Sequence, residues 1–133
     1  MPIYTCVAVE ETLSDKVKAT LAAEITQTHV SVTGAPSSFV SVVFHELPAT
    51  NMFVDSIPCQ HLLINGLIRA GRSDADKTRL AQDLCSGSSR VTGIPEARIV
   101  VGIQDIPAKF AVEGGRVLPE PGAEDAWLPS SAR

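Results

Sequence analysis

Apolar and polar positions fall into the same order twice along this chain. The run Ile3–Val9 is aliphatic and of strand length, and Leu62–Ile68 has the same character, so both predict buried strands. Each run is followed by a serine-aspartate pair, Ser14-Asp15 and Ser73-Asp74. The serine oxygen can accept from an orphan N–H of a first helical turn, and the aspartate complements the helix dipole, so a helix is expected from each pair onward. Val17, Leu21, Ile25, His29 and Val32 then recur every three or four positions, and Leu80, Leu84 and Val91 repeat the stripe in the second copy. Thr33-Gly34 and Thr92-Gly93 end the helices, because glycine takes the left-handed conformation past a helix end, and Pro36 and Pro95 prevent resumption. Two β-branched runs, Phe39–Phe44 and Arg98–Ile103, predict a second strand in each copy, closed by Pro48 and Pro107.

Shifting the chain by 59 positions, which lays Ser14 on Ser73, aligns residues 3–51 with 62–110 without a gap, and 12 of the 49 pairs are identical. Strand, helix and strand form a right-handed crossover joining parallel strands. Two such β-α-β units predict an α/β (α+β) fold: a four-stranded mixed sheet with both helices on one face. The chain is expected to be a single domain over residues 1–133, with a linker at 50–61 and a C-terminal arm at 111–133 of loops or short extensions. Because the other sheet face is also apolar and has no layer of its own, the layer rule predicts an oligomer that packs bare sheets together.

Composition narrows the partners. The 133 residues are 44% hydrophobic and 20% charged, with a net charge of -4 and a pI near 5.3, which describes a globular protein without the cationic footprint of a nucleic-acid or membrane-surface binder. Neither nucleic acid nor membrane is therefore expected as a partner. Cys6, Cys59 and Cys85 are odd in number and form no CxxC pair, so neither a disulfide framework nor a metal site is indicated. No secretory signal or apolar run of spanning length is visible, and the expectation is a soluble, cytoplasmic protein with reduced thiols.

The candidate chemistry begins at Pro2. Its small second-position side chain permits removal of Met1, which would free a secondary amine; equally, proline is harmless at the start of a strand. Arg69 and Arg72, three residues apart around Gly71, present planar donor forks that suit one carboxylate, although such a pair is more often a solvated surface feature. His29 lies on the apolar stripe, where a histidine is ordinarily a satisfied core residue, but Ser88 holds the equivalent place in the second copy, so the fold itself does not require imidazole. Glu113, beside Gly114-Gly115, can project from the arm into a pocket or remain an exposed loop carboxylate. His45, His61 and the three cysteines read as structural or surface positions.

The segments THVSVTG, NGLIRAGRS and IPAKFAVEGGRVLPEPG, together with proline after the initiator and the duplicated β-α-β unit, resemble the cis-3-chloroacrylic acid dehalogenase family of the tautomerase superfamily. The resemblance implies a homotrimer without a cofactor, in which Pro2 is the catalytic amine, His29 with Arg69 and Arg72 holds a small carboxylate, and Glu113 helps to activate water. Gly102 stands where that family's dehalogenase carries a water-positioning tyrosine. The arginines would lower the amine's pKa and make it a neutral base, whereas Glu113 would raise it and make it an acid. Tautomerisation of a 2-oxo/enol acid needs no positioned water and is the favoured expectation. The alternatives are hydration or dehalogenation of a cis-3-haloacrylate, with water activated by Glu113, and a protein-interaction module with vestigial catalysis.

Overall fold

The structure is a computed structural model that describes residues 1–129; the last four residues of the expected C-terminal arm lie outside the described residues. Strand β1 (Ile3–Val9) leads into helix α1 (Asp15–Thr33) and strand β2 (Ser41–Leu47), and β5 (Leu62–Arg69), α2 (Asp74–Thr92) and β6 (Ile99–Ile106) repeat the unit. The strands lie in the order β2-β1-β5-β6, parallel within each unit and antiparallel where β1 meets β5. This is the mixed four-stranded sheet with two main helices that the pattern implied.

Capping chemistry places the helices. Ser14 and Ser73 accept from the N–H groups of Val17 and Asp76, and each helix closes on a left-handed glycine, Gly34 or Gly93. Leu21, Ile25, Leu80 and Leu84 on the helices meet Tyr4, Cys6, Ala8, Leu62, Ile64 and Ile68 on the strands in one core, with Val42, Phe44, Val101 and Ile103 packed against it. Lys18 pairs with Glu46 in the first unit as Lys77 pairs with Asp105 in the second. The second strands begin at Ser41 and Ile99, after a single 3-10 turn at Ser37–Phe39 and Glu96–Arg98. That is later than their β-branched runs begin, because the chain must first turn back from the helix.

The gapless repeat needs one correction. Ile3 pairs with Ser41, whereas Val100, the equivalent of Ser41, pairs with Leu63. Leu63 rather than Leu62 is therefore the counterpart of Ile3, and the first strands match with one more residue of shift than the helices do. The difference is absorbed before the helices, since Glu10–Leu13 precedes Ser14 but only Ala70–Arg72 precedes Ser73. A one-residue slip exchanges the two faces of a strand, so side-chain direction in β5 follows the pairing and not the sequence match.

The repeat also extends further than the pattern suggested. The expected linker contains a hairpin, β3 (Phe53–Val54) with β4 (Ile57–Pro58), and the expected arm begins with its counterpart, β7 (Val112–Glu113) with β8 (Arg116–Val117). Two-residue strands carry no periodicity, and the first turn uses Asp55 and Ser56 at positive φ where the second uses Gly114 and Gly115. Both hairpins hold up apolar side chains, Phe53, Val54, Ile57, Val112 and Val117, and on the helix-free sheet face Ile3, Val43 and Val100 are also exposed. A short helix, α3 (Glu124–Trp127), follows the second hairpin. No helix among the described residues is long and apolar enough to cross a membrane.

Candidate active site

The start of β1, the end of β5, the end of α1 and the second hairpin bring four distant parts of the chain together. Pro2 is fully buried, and its carbonyl accepts from the Ser41 N–H at 3.1 Å, which fixes the chain start against β2. The amino group of the chain, carried by Met1, forms an ion pair of 2.8 Å with Glu113 Oε2. Met1, Ile3, Ser41, Val112 and Glu113 line a small cavity of about 170 Å³ beside it. A larger cleft of about 340 Å³ lies between α1 and α2, but its principal charges, Glu24 and Arg90, already pair with each other.

His29 is buried about one turn before the end of α1, and its Nδ1 is 2.7 Å from the Tyr4 hydroxyl. Burial lowers its pKa to about 4, assisted by the positive charges of Arg72, Arg69 and the chain's amino group. These three cations therefore surround one neutral imidazole. Burial also pushes the Tyr4 phenol far above its usual range, so Tyr4 remains a hydroxyl donor. With that hydroxyl donating, Nδ1 is the acceptor and the proton is left on Nε2, where His29 presents a neutral N–H to its other side; in the opposite tautomer Nδ1–H donates to the hydroxyl. Gly66 makes the arrangement feasible: a Cβ there would stand 2.5 Å from the Tyr4 ring.

Arg69 and Arg72 flank Gly71, whose φ of +120° suits only glycine and lets Pro121 pack at 3.4 Å from where a Cβ would stand. The turn brings both guanidiniums to the same region, yet each already has protein partners. Arg69 is buried; its Nη1 donates to the Pro119 carbonyl at 2.7 Å, its Nη2 pairs with Glu124 Oε1 at 2.8 Å, and it lies over the Phe39 ring at 5.2 Å. Arg72 donates to the Thr33 carbonyl at 2.6 Å and is only half-buried. Burial, then Arg69, lowers the Arg72 pKa, with Glu124 and Asp76 opposing. The expected pair is thus asymmetric: one guanidinium is matched by an internal carboxylate, and the other bonds to a neutral carbonyl.

Tyr4 and Glu124 were not among the residues singled out from the sequence. Tyr4 had a legible signal, being the single tyrosine and alternating with Cys6 and Ala8 on the helix-facing side of β1. Glu124 had none, since its burial depends on a tail that folds back over β5. Gly102 lies mid-strand in β6, paired with Asn65 and separated from β1 by β5, so the chain's own amine and position 102 are not brought together. His45, on β2, pairs with Val7 of β1, His61 precedes β5, and the three cysteines are unpaired, with burial pushing the Cys6 thiol up to about 12. Among the described residues, no group of three or more His, Cys, Asp or Glu side chains is assembled that could hold a metal ion.

The Tautomerase_3 family model, described as "Putative oxalocrotonate tautomerase enzyme", matches residues 1–130. The chain belongs to the tautomerase superfamily. Among solved structures it is similar to N1, a member of the cis-3-chloroacrylic acid dehalogenase family, with 30% identity over 98% of this chain and 94% of that chain and a TM-score of 0.93. It is similar also to native Ps01740, at 37% identity over 84% and 99% of the two chains with a TM-score of 0.81. A fused 4-OT solved as an asymmetric trimer shares 29% identity over 86% and 94%, again with a TM-score of 0.81. Among the curated proteins none matches. Within the superfamily fold, the amino terminus, His29 and both arginines of this chain occupy one region, and Glu113 reaches it from the hairpin that ends the second repeat.

Proposed function

We propose that this tautomerase-superfamily member is a cofactor-independent enzyme that uses the Pro2 amine, freed by removal of Met1, to tautomerise a small 2-oxo/enol carboxylate. The observation that carries this reading is the convergence on one buried, neutral His29 of the chain's amino group, Arg69 and Arg72, with Glu113 paired to that amino group. In the ketonising direction the neutral amine takes the proton of the enol hydroxyl and returns it to the adjacent carbon, so proton and electron pairs balance without a redox partner. The guanidinium of Arg72 and the Nε2–H of His29 attract the substrate carboxylate and the oxygen on which negative charge develops. The nearby cations favour the neutral amine, and Glu113 opposes them.

The uncovered sheet face and the exposed apolar hairpins support assembly into a trimer, in line with the trimeric 4-OT structure to which the chain is similar. Hydration of an unsaturated acid, or dehalogenation of its halogenated form, is the second reading. It is favoured by the 2.8 Å contact between Glu113 and the amino group, which suits a carboxylate that activates water beside an acid. Tautomerisation ranks first because it needs no positioned water, and Gly102, even where a neighbouring subunit's β6 meets the site, offers no hydroxyl to position one.

The test is ketonisation of phenylenolpyruvate by the processed protein and by Pro2→Ala, with intact mass establishing that Met1 is absent. Loss of at least about 10²-fold in kcat/KM is expected on replacing the secondary amine; an unchanged rate removes Pro2 from the mechanism. Chloride and malonate semialdehyde released from cis-3-chloroacrylate at a higher kcat/KM would instead place hydration first. Retention of Met1 with no turnover of either substrate would favour an interaction module.

A further inference from the structure

Beyond the second hairpin the chain continues across the end of β5. Leu118 N donates to the Ala111 carbonyl at 2.9 Å, Pro119 offers its carbonyl to Arg69, and α3 then delivers Glu124 to the same guanidinium. The segment is firmly seated: Trp127 Nε1 donates to the Val117 carbonyl at 2.8 Å, the Trp127 and Phe39 rings meet edge-on at 5.5 Å, and Arg116 lies over the Trp127 ring at 4.3 Å. Glu124 is buried, and its second oxygen accepts from the Gly122 N–H at 3.0 Å. Burial works to raise the Glu124 carboxyl, but the Arg69 hydrogen bond and the backbone N–H groups outweigh it and hold the group below the usual carboxylate range. Arg69 therefore meets a permanent carboxylate.

We propose that Glu124 is a specificity-determining residue that selects monocarboxylates over dicarboxylates by matching Arg69 internally and leaving Arg72 as the one guanidinium open to a substrate carboxylate. This rests on the carboxylate-binding reading above. Arg72 is half-buried and held only by a neutral carbonyl, so a single substrate carboxylate satisfies it. Asp76, the other acid that Arg72 feels, stands partly exposed on the first turn of α2, where water screens it. A second substrate carboxylate would find its cation already paired and would face the Glu124 charge across a partly desolvated site. At an effective dielectric near 20, one unit charge about 12 Å away changes a binding constant by about tenfold.

The experiment is equilibrium binding of two unreactive probes that differ by one charge, succinate and monomethyl succinate, read by the fluorescence of the single tryptophan, Trp127, on the segment itself. The wild-type protein is expected to bind the monoanion at least as tightly as the dianion. Glu124→Gln, which keeps the shape and the hydrogen-bonding oxygen, is expected to shift the affinity ratio toward succinate by about tenfold. Glu124→Asp, which keeps the charge, should hold the wild-type ratio, and thermal denaturation verifies that both variants fold. A shift under about twofold in Glu124→Gln, an equal shift in Glu124→Asp, or no saturable binding of either probe to the wild-type protein overturns the proposal. No turnover is needed, so a failed Pro2→Ala test of the proton-transfer mechanism leaves this result readable, and the converse also holds.

Discussion

Acid is the perturbation that the site responds to most directly, because His29 is held neutral among three cations. Its pKa falls from the ordinary 6.5 to about 4 in the folded chain. The unfolded chain therefore binds a proton more readily across that window, so stability rises with pH from about 4 to 6.5 and is lost as pH falls through it. The depression of about 2.5 units corresponds to ~3 kcal/mol in full, of which ~2 kcal/mol is gone by about pH 5. Glu124, whose carboxyl is depressed, adds a loss of the same sign at lower pH, as the Arg69 partner is neutralised. Urea denaturation from neutral pH down to about pH 4, at one protomer concentration so that assembly contributes equally, measures the total. Repeating the series with His29→Gln, which cannot titrate, isolates the histidine. The wild-type protein should lose ~2 kcal/mol more than the variant between neutral pH and about pH 5. Parallel losses within about 0.5 kcal/mol, or a His29 resonance titrating near its ordinary value, would refute the assignment of this imidazole to a buried, cation-flanked position.

Tyr4→Phe removes the hydroxyl that lies 2.7 Å from His29 Nδ1 and that, when it donates, holds the proton on Nε2. We expect a loss of ~1–2 kcal/mol in urea titrations and, by nitrogen NMR, a mixture of His29 tautomers where the wild-type protein has one; an unmixed Nε2–H form in the variant would show that Tyr4 does not set it. On the uncovered sheet face Val43 is 42% exposed, so Val43→Asp should convert the proposed trimer to monomers in sedimentation at micromolar concentration without loss of secondary structure. Retention of the wild-type mass would mean that subunits do not meet through this face. The Pro2→Ala and Glu124→Gln outcomes given above complete the set.

Local chemistry made much of this protein legible before any coordinates. Serine caps, glycine stops and a helical stripe ending in His29 fixed where both helices lie, because each signal acts within a few residues. The likeness of the halves conveyed the doubled β-α-β architecture, and the comparison of His29 with Ser88 singled out His29 as a candidate site residue. Hairpins built from two-residue strands escaped notice, since nothing periodic marks them. The face each β5 side chain takes also escaped, because it depends on one residue absorbed in the turn before Ser73 and is settled by hydrogen-bond pairing with β6. The contacts that define the site belong to a different category. Met1 and Glu113 are 112 positions apart, and Arg69 and Glu124 are 55 apart. No pattern in the chain couples such partners; packing of the second hairpin and the following segment over the ends of β1 and β5 does. Whether an arginine stands free for a substrate or is already matched by a buried carboxylate is a question of desolvation and distance, and both come into being only when the chain has closed on itself.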